Sequence, residues 1–135
     1  YQIIANCQKL AHVDRPMYFY FQREGSIMGQ GYSLKRLDAV EAKCQRLEYL
    51  EQEFPDLVDL ARRDLVFTCI YHGQLALRNL DNTNKKTALS TLKSTVKKYT
   101  GSFGDMPTTH KLWLLLAKLN FRLCCRVRGF LGIGY

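Results

Sequence analysis

The residues best equipped for chemistry stand close together near the start of the chain. Arg23, Gly25 and Ser26 come just after the aromatic run Met17-Tyr18-Phe19-Tyr20-Phe21, beyond the single intervening residue Gln22. A strand that ends this way presents a guanidinium, a hydroxyl and flexible backbone amides together, a set suited to an anionic group such as a diphosphate. The same residues also fit an ordinary buried strand followed by a solvated turn. Other reactive side chains are scattered. His12, His72 and His110 are far apart in sequence, and His72 falls in the most apolar helix, where a hydrogen-bonded core histidine is expected. The aspartates fall mostly on helix faces or in caps, where solvation is the default. No phosphate-binding loop, dinucleotide fingerprint, zinc-protease helix or serine-hydrolase elbow occurs. No catalytic residue and no metal ligand is therefore assigned within the chain.

A second group of residues bears on partners. Lys111, Lys118, Arg122, Arg126 and Arg128 are the only charges in the last predicted helix, beside Trp113 and Phe121, with Phe130 just beyond. A basic, aromatic-containing helix fits two arrangements: its apolar face inserted at a bilayer surface, or that face packed on other helices with the cations solvated. The whole chain carries a formal charge of +8, from 20 Lys and Arg against 12 Asp and Glu. That excess favours anionic partners: phosphate-bearing ligands, nucleic acid or an anionic bilayer.

The elements that must position these residues can be read from periodicity. With 135 residues, 47% apolar and 24% charged, the chain has the size and composition of one globular domain. Its longest apolar run, residues 112–116, is far below the roughly 20 residues of a membrane span. Cys7, Cys44, Cys69, Cys124 and Cys125 include no C-x-x-C pair, so each is expected to be a small buried apolar side chain in a reducing cytoplasm. The chain opens at Tyr1 without an initiator Met. Tyr1, Ile3, Ile4, Cys7 and Leu10 already repeat at helical spacing, so a first short helix and a piece of a longer protein are expected. The Arg15-Pro16 turn precedes the one convincing strand, residues 17–21.

Beyond Ser33, a well-placed N-cap, the period changes to helical. Leu34, Leu37, Val40, Cys44, Leu47, Leu50 and Phe54 make one stripe; Pro55-Asp56 opens a second, nearly all-apolar helix to residue 79 that should be the most buried. Asp81-Asn82-Thr83-Asn84 reads as a loop. Ala88, Leu89, Leu92, Val96 and Tyr99 mark a third helix, and residues 108–128 a fourth. The glycine-rich tail, 129–135, has no clear pattern. The fold expected is mainly α: an irregular four-helix bundle, residues 33–135, with a short β element in residues 1–32.

The run from Tyr1 to Ile27, with its helix carrying N-C-Q-K, the Arg15-Pro16 turn and the stretch from Met17 to Ile27, resembles the end of the catalytic domain in bacterial family 2 glycosyltransferases. There a stretch of the form aromatic-Tyr-x-Tyr-x-x-Arg-x-Gly-Ser-Ile closes the sheet beside the active site, and Tyr18, Tyr20, Arg23, Gly25, Ser26 and Ile27 match it. The helical remainder is similar, more loosely, to the variable C-terminal extension of such enzymes. The resemblance implies a nucleotide-sugar-dependent enzyme that builds a cell-surface polysaccharide or glycolipid, with a divalent metal, Mg or Mn, on the sugar diphosphate. An Asp-x-Asp motif would hold that metal, and a Glu-Asp pair would supply the general base. Neither motif occurs in this sequence. Only Arg23 and Ser26 carry over, as substrate contacts, and the chain alone is expected to be inactive.

On that reading the partners are a nucleotide sugar, a saccharide or lipid-linked acceptor, and the inner face of the cell membrane. The exposed aromatic strand would pair copies of the chain edge to edge. The competing reading is a basic helical binding module, without catalysis, for nucleic acid or a protein partner. Against nucleic acid, the cations are spread over several helices and no recognition helix is evident.

Overall fold

The computed structural model describes residues 1–19, 21, 31–101 and 106–134, and the chain divides into two compact units, Tyr1–Gly31 and Tyr32–Tyr135. Of the first unit, helix α1 is only Gln2–Ala5, closed by the Asn6 N–H on the Gln2 carbonyl. The helical repeat of Tyr1 to Leu10 therefore stops after one turn. The expected strand is not found among the described residues: Met17, Tyr18, Phe19 and Phe21 carry no strand pairing and are exposed. A strand exists only through a ladder to a neighbour, and no second strand is described to supply one. Tyr20 lies outside the described residues.

The elements described in the second unit are all helical. Ser33, in extended conformation, precedes a 3-10 turn at Leu34–Leu37 that runs into α2, Asp38–Glu53. Val40, Leu47 and Leu50 turn the expected stripe inward. Phe54 leaves helical geometry, and Pro55, its missing N–H costing nothing at a helix start, opens a 3-10 turn, Pro55–Leu57, ahead of α3, Val58–Asn79. Helix α3 packs against α2, α4 and α6 and is the axis of the unit. Leu65, Val66, Cys69, Ile70 and Ala76 are fully buried along it.

Helix α4 spans Asn82–Tyr99 and lays Ala88, Leu92 and Val96 against α3. Its start overturns the loop expected at residues 81–84. The Asp81 carboxylate accepts the Thr83 and Asn84 N–H groups, both at 3.0 Å, satisfying two donors that a helix start leaves free. The expected fourth helix is two: α5, Thr108–Leu119, and α6, Phe121–Phe130. Asn120 makes the break. Its backbone is extended, its N–H closes α5 on the Leu116 carbonyl, and its side chain accepts the Leu123 N–H at 3.0 Å to open α6.

Two glycines explain how α6 docks and ends. A Cβ at Gly73 would stand 2.5 Å from the Cys125 sulfur and 3.0 Å from the Phe121 ring, so α6 lies on α3 at a distance only glycine permits. After α6, Gly132 takes φ of +67°, and the Ile133 N–H returns to the Arg128 carbonyl. This is the Schellman closure that glycine favours. It gives the glycine-rich tail a definite path, on which the Ile133 carbonyl accepts from Gln74 Nε2 at 3.1 Å.

Candidate functional site

Arg23 and Ser26 lie outside the described residues. The five basic residues of the last segment are divided by the break at Asn120 and by burial. Lys111 and Lys118 are exposed on α5, Arg122 and Arg126 on α6. Arg128 is half-buried, its guanidinium 5.1 Å from the Trp113 ring and 5.4 Å from that of Phe67. Burial lowers its affinity for a proton, though an arginine so placed stays charged. Its cation–π contacts join α6 to α3 and α5.

Helix α5 is apolar on both sides. Leu114 and Ala117 enter the core, while Leu112, Leu115 and Leu119 are 61%, 54% and 76% exposed. Positions 112, 115 and 119 share one face of a helix, and Lys111 and Lys118 stand beside them. On α6, Leu123 and Phe130 are exposed as well. The outer surface of the α5–α6 pair thus combines large apolar side chains with cations.

Among the described residues α5 and α6 carry no carboxylate, for a reason visible in the sequence. Ten of the chain's twelve acidic residues precede Leu65, together with nine of its twenty cations; only Asp81 and Asp105 follow, against eleven cations. The four described ion pairs all join α2 and α3 or lie within α3: Lys43 and Arg46 reach Asp64, and Arg62 reaches Glu51 and Asp59. Asp81 is spent on its cap, which holds its carboxyl below the usual carboxylate range through hydrogen bonds from Asn84.

Between α4 and the α5–α6 corner lies a groove of about 520 Å³, lined from α4 by Lys85, Lys86 and Lys93 and from the corner by Leu119, Asn120 and Arg122. A second cavity of about 330 Å³ adjoins it. The two share Lys85 and Arg122, and the second adds Arg78 and Arg126. Among the described residues no carboxylate lines either. Periodicity alone places Lys85, Lys86 and Lys93 on the outside of their helix; the charge segregation just described is the signal that marks them.

Tyr32 and His72 form a part-buried pair. Tyr32 Oη stands 3.0 Å from His72 Nδ1 and 3.2 Å from the His72 carbonyl oxygen. Both contacts are satisfied when the tyrosine donates to the carbonyl and Nδ1–H donates to the tyrosine. Burial, then the nearby Arg36 and Lys43, lowers the His72 pKa, and burial pushes Tyr32 up to about 12. The expected core histidine is thus a neutral partner of Tyr32. Burial likewise raises the Cys69 thiol to about 12 and the Cys124 thiol to about 11, and raises Cys125 further. Burial thus disfavours the thiolate, the form in which cysteine reacts. Cys7, by contrast, is exposed.

Among the described residues no three His, Cys, Asp or Glu side chains come together as a metal-binding group, and no helix is long and apolar enough to cross a membrane. No family model, no curated protein and no solved structure matches the chain.

Proposed function

We propose that the chain is the membrane-facing helical part of a nucleotide-sugar-dependent glycosyltransferase, resting on the cytoplasmic face of an anionic bilayer where a lipid-linked acceptor is presented. One observation carries the membrane reading: the exposed row Leu112, Leu115 and Leu119 runs beside Lys111 and Lys118, with no carboxylate among residues 106–134. Full burial of one leucine contributes about 1.5–3 kcal/mol, and each cation near an anionic surface about 1 kcal/mol. Three partly exposed leucines and the exposed Lys111, Lys118, Arg122 and Arg126 are enough for reversible binding. They do not suffice for permanent anchoring.

The transferase reading is supported by the match of Tyr18, Tyr20, Arg23, Gly25, Ser26 and Ile27 to the glycosyltransferase segment. On it, Arg23 and Ser26 meet the substrate phosphates or the acceptor. The described residues offer no ligand set for the Mg or Mn that such enzymes place on the sugar diphosphate.

Two assays test the proposal. Sugar transfer by the full-length protein, with Mg or Mn and a panel of nucleotide sugars, should be detectable and should fall at least tenfold in Arg23→Ala; inactivity with every donor sinks the transferase reading. Co-sedimentation should retain the chain on phosphatidylglycerol-containing vesicles and not on phosphatidylcholine alone. Equal affinity for both, or tighter capture by nucleic acid than by the anionic vesicles, sinks the membrane reading.

A further inference from the structure

We propose that the groove between α4 and the α5–α6 corner is a binding site for the diphosphate group of a lipid diphosphate, with the lipid chain leaving over Leu119. Three observations converge on it. Lys85, Lys86, Lys93 and Arg122 line the groove, and the charged side chain of none of them has an ion-pair or hydrogen-bond partner among the described residues. Like charges gathered without a counterion repel one another, and an anion in the groove relieves that repulsion.

The second observation is the direction of the helices. The groove is lined by Phe121 and Arg122, the first two residues of α6, whose first turn contains no acidic residue; Asn82, the first residue of α4, borders it as well, but there the Asp81 carboxylate already accepts the Thr83 and Asn84 N–H groups. The N–H groups of a first turn have no partner within their helix, and the helix dipole is positive there. Asn120 occupies the Leu123 N–H; those of Phe121 and Arg122 belong to the orphan donors that anions use at helix starts.

The third observation is size and lining. A volume of about 520 Å³, joined through Lys85 and Arg122 to a further 330 Å³, exceeds the need of a single phosphate and suits linked phosphates carrying an organic group. Leu119, which borders the groove, is also the last member of the exposed row Leu112, Leu115 and Leu119. A diphosphate in the groove therefore has an apolar track beginning at its edge. The choice of a lipid as the source rests on the membrane reading above; the diphosphate site itself does not.

The test separates the two. Inorganic pyrophosphate is titrated into the full chain by calorimetry at about 0.15 M salt, where long-range attraction is screened beyond about 8 Å. Saturable binding is expected, weakened at least tenfold in the doubly substituted Lys85→Ala/Arg122→Ala chain. It should be unchanged in Lys111→Ala/Lys118→Ala, which removes the same charge away from the groove. Absence of saturable binding, or equal loss in both variants, overturns the site. Circular dichroism confirms that each variant is folded. Farnesyl diphosphate, below its micellar concentration, then tests the source. Affinity at least tenfold above that of pyrophosphate, and reduced by Leu119→Ser, supports the lipid; equal or weaker affinity overturns it and leaves the diphosphate site standing. Vesicle binding plays no part in either titration, so a failed membrane reading is seen separately.

Discussion

Replacing Leu115 and Leu119 together by serine should release the chain from anionic vesicles without unfolding it. The two side chains are 54% and 76% exposed, somewhat more than one whole leucine side chain available to a bilayer. At about 1.5–3 kcal/mol per fully buried leucine, their insertion contributes about 2–4 kcal/mol, or at least about thirtyfold in the partition constant. The cost to folding should be small, because neither side chain is part of the core and surface substitutions usually stay within about 0.5 kcal/mol. The assay is co-sedimentation across a range of phosphatidylglycerol vesicle concentrations, with thermal unfolding in parallel. Raising the salt should weaken binding of parent and variant in proportion, since the cations are untouched. A variant that partitions within threefold of the parent, at equal melting temperature, refutes the reasoning, since the leucines would then contribute nothing and only charge would hold the surface.

Other outcomes follow from the packing. Gly73→Ala should destabilise the second unit by about 1–3 kcal/mol, the usual range for overpacking, because its Cβ would stand 2.5 Å from the Cys125 sulfur; a lower melting temperature checks this, and an unchanged one contradicts the close approach. His72 has a folded pKa below its ordinary 6.5, so its unfolded form takes up the proton first. Its contribution is complete above 6.5 and declines as pH falls through the lowered value. His72→Gln should flatten the pH dependence of stability just below 6.5, with Arg36 and Lys43 the charges facing the ring in the parent. Asp81, whose folded pKa is depressed below 3.8, stabilises α4 above that value and loses its hold as pH falls through the folded one. Asp81→Asn, which can still cap, should keep the helix and lose that acid sensitivity in a circular-dichroism titration.

The helical class, the inward stripe of α2 and the burial of α3 are legible in the sequence because each rests on many residues repeating at one period. His72 was legible for the same reason, as a polar group in an apolar helix that must find a partner. What periodicity does not contain are the single-residue events. Asn120 sits inside an apolar helical pattern, and its capping of α6 competes there with continuation of α5. Asp81 carries a helix-start signal that the surrounding polar residues disguise as a loop. The aromatic run at residues 17–21 has strand propensity, and propensity becomes a strand only where a neighbour completes the ladder. The groove was hidden for a different reason. Its cations come from two separate stretches of chain, and only the tertiary arrangement brings Lys85 and Lys93 opposite Arg122.

The glycine contact between α3 and α6 has a consequence for the order in which the unit is built. Helices α2, α3 and α4 meet as sequence neighbours, so their contacts close short loops and can form early. The Gly73–Cys125 contact closes a loop that includes all of α4 and α5, and its fit demands that α3 already be helical. The α5–α6 pair is therefore expected to dock last and to come away first. Native-state hydrogen exchange would register it as the least protected cooperative segment, while the α3 amides around Leu65 and Ile70 exchange only on global unfolding.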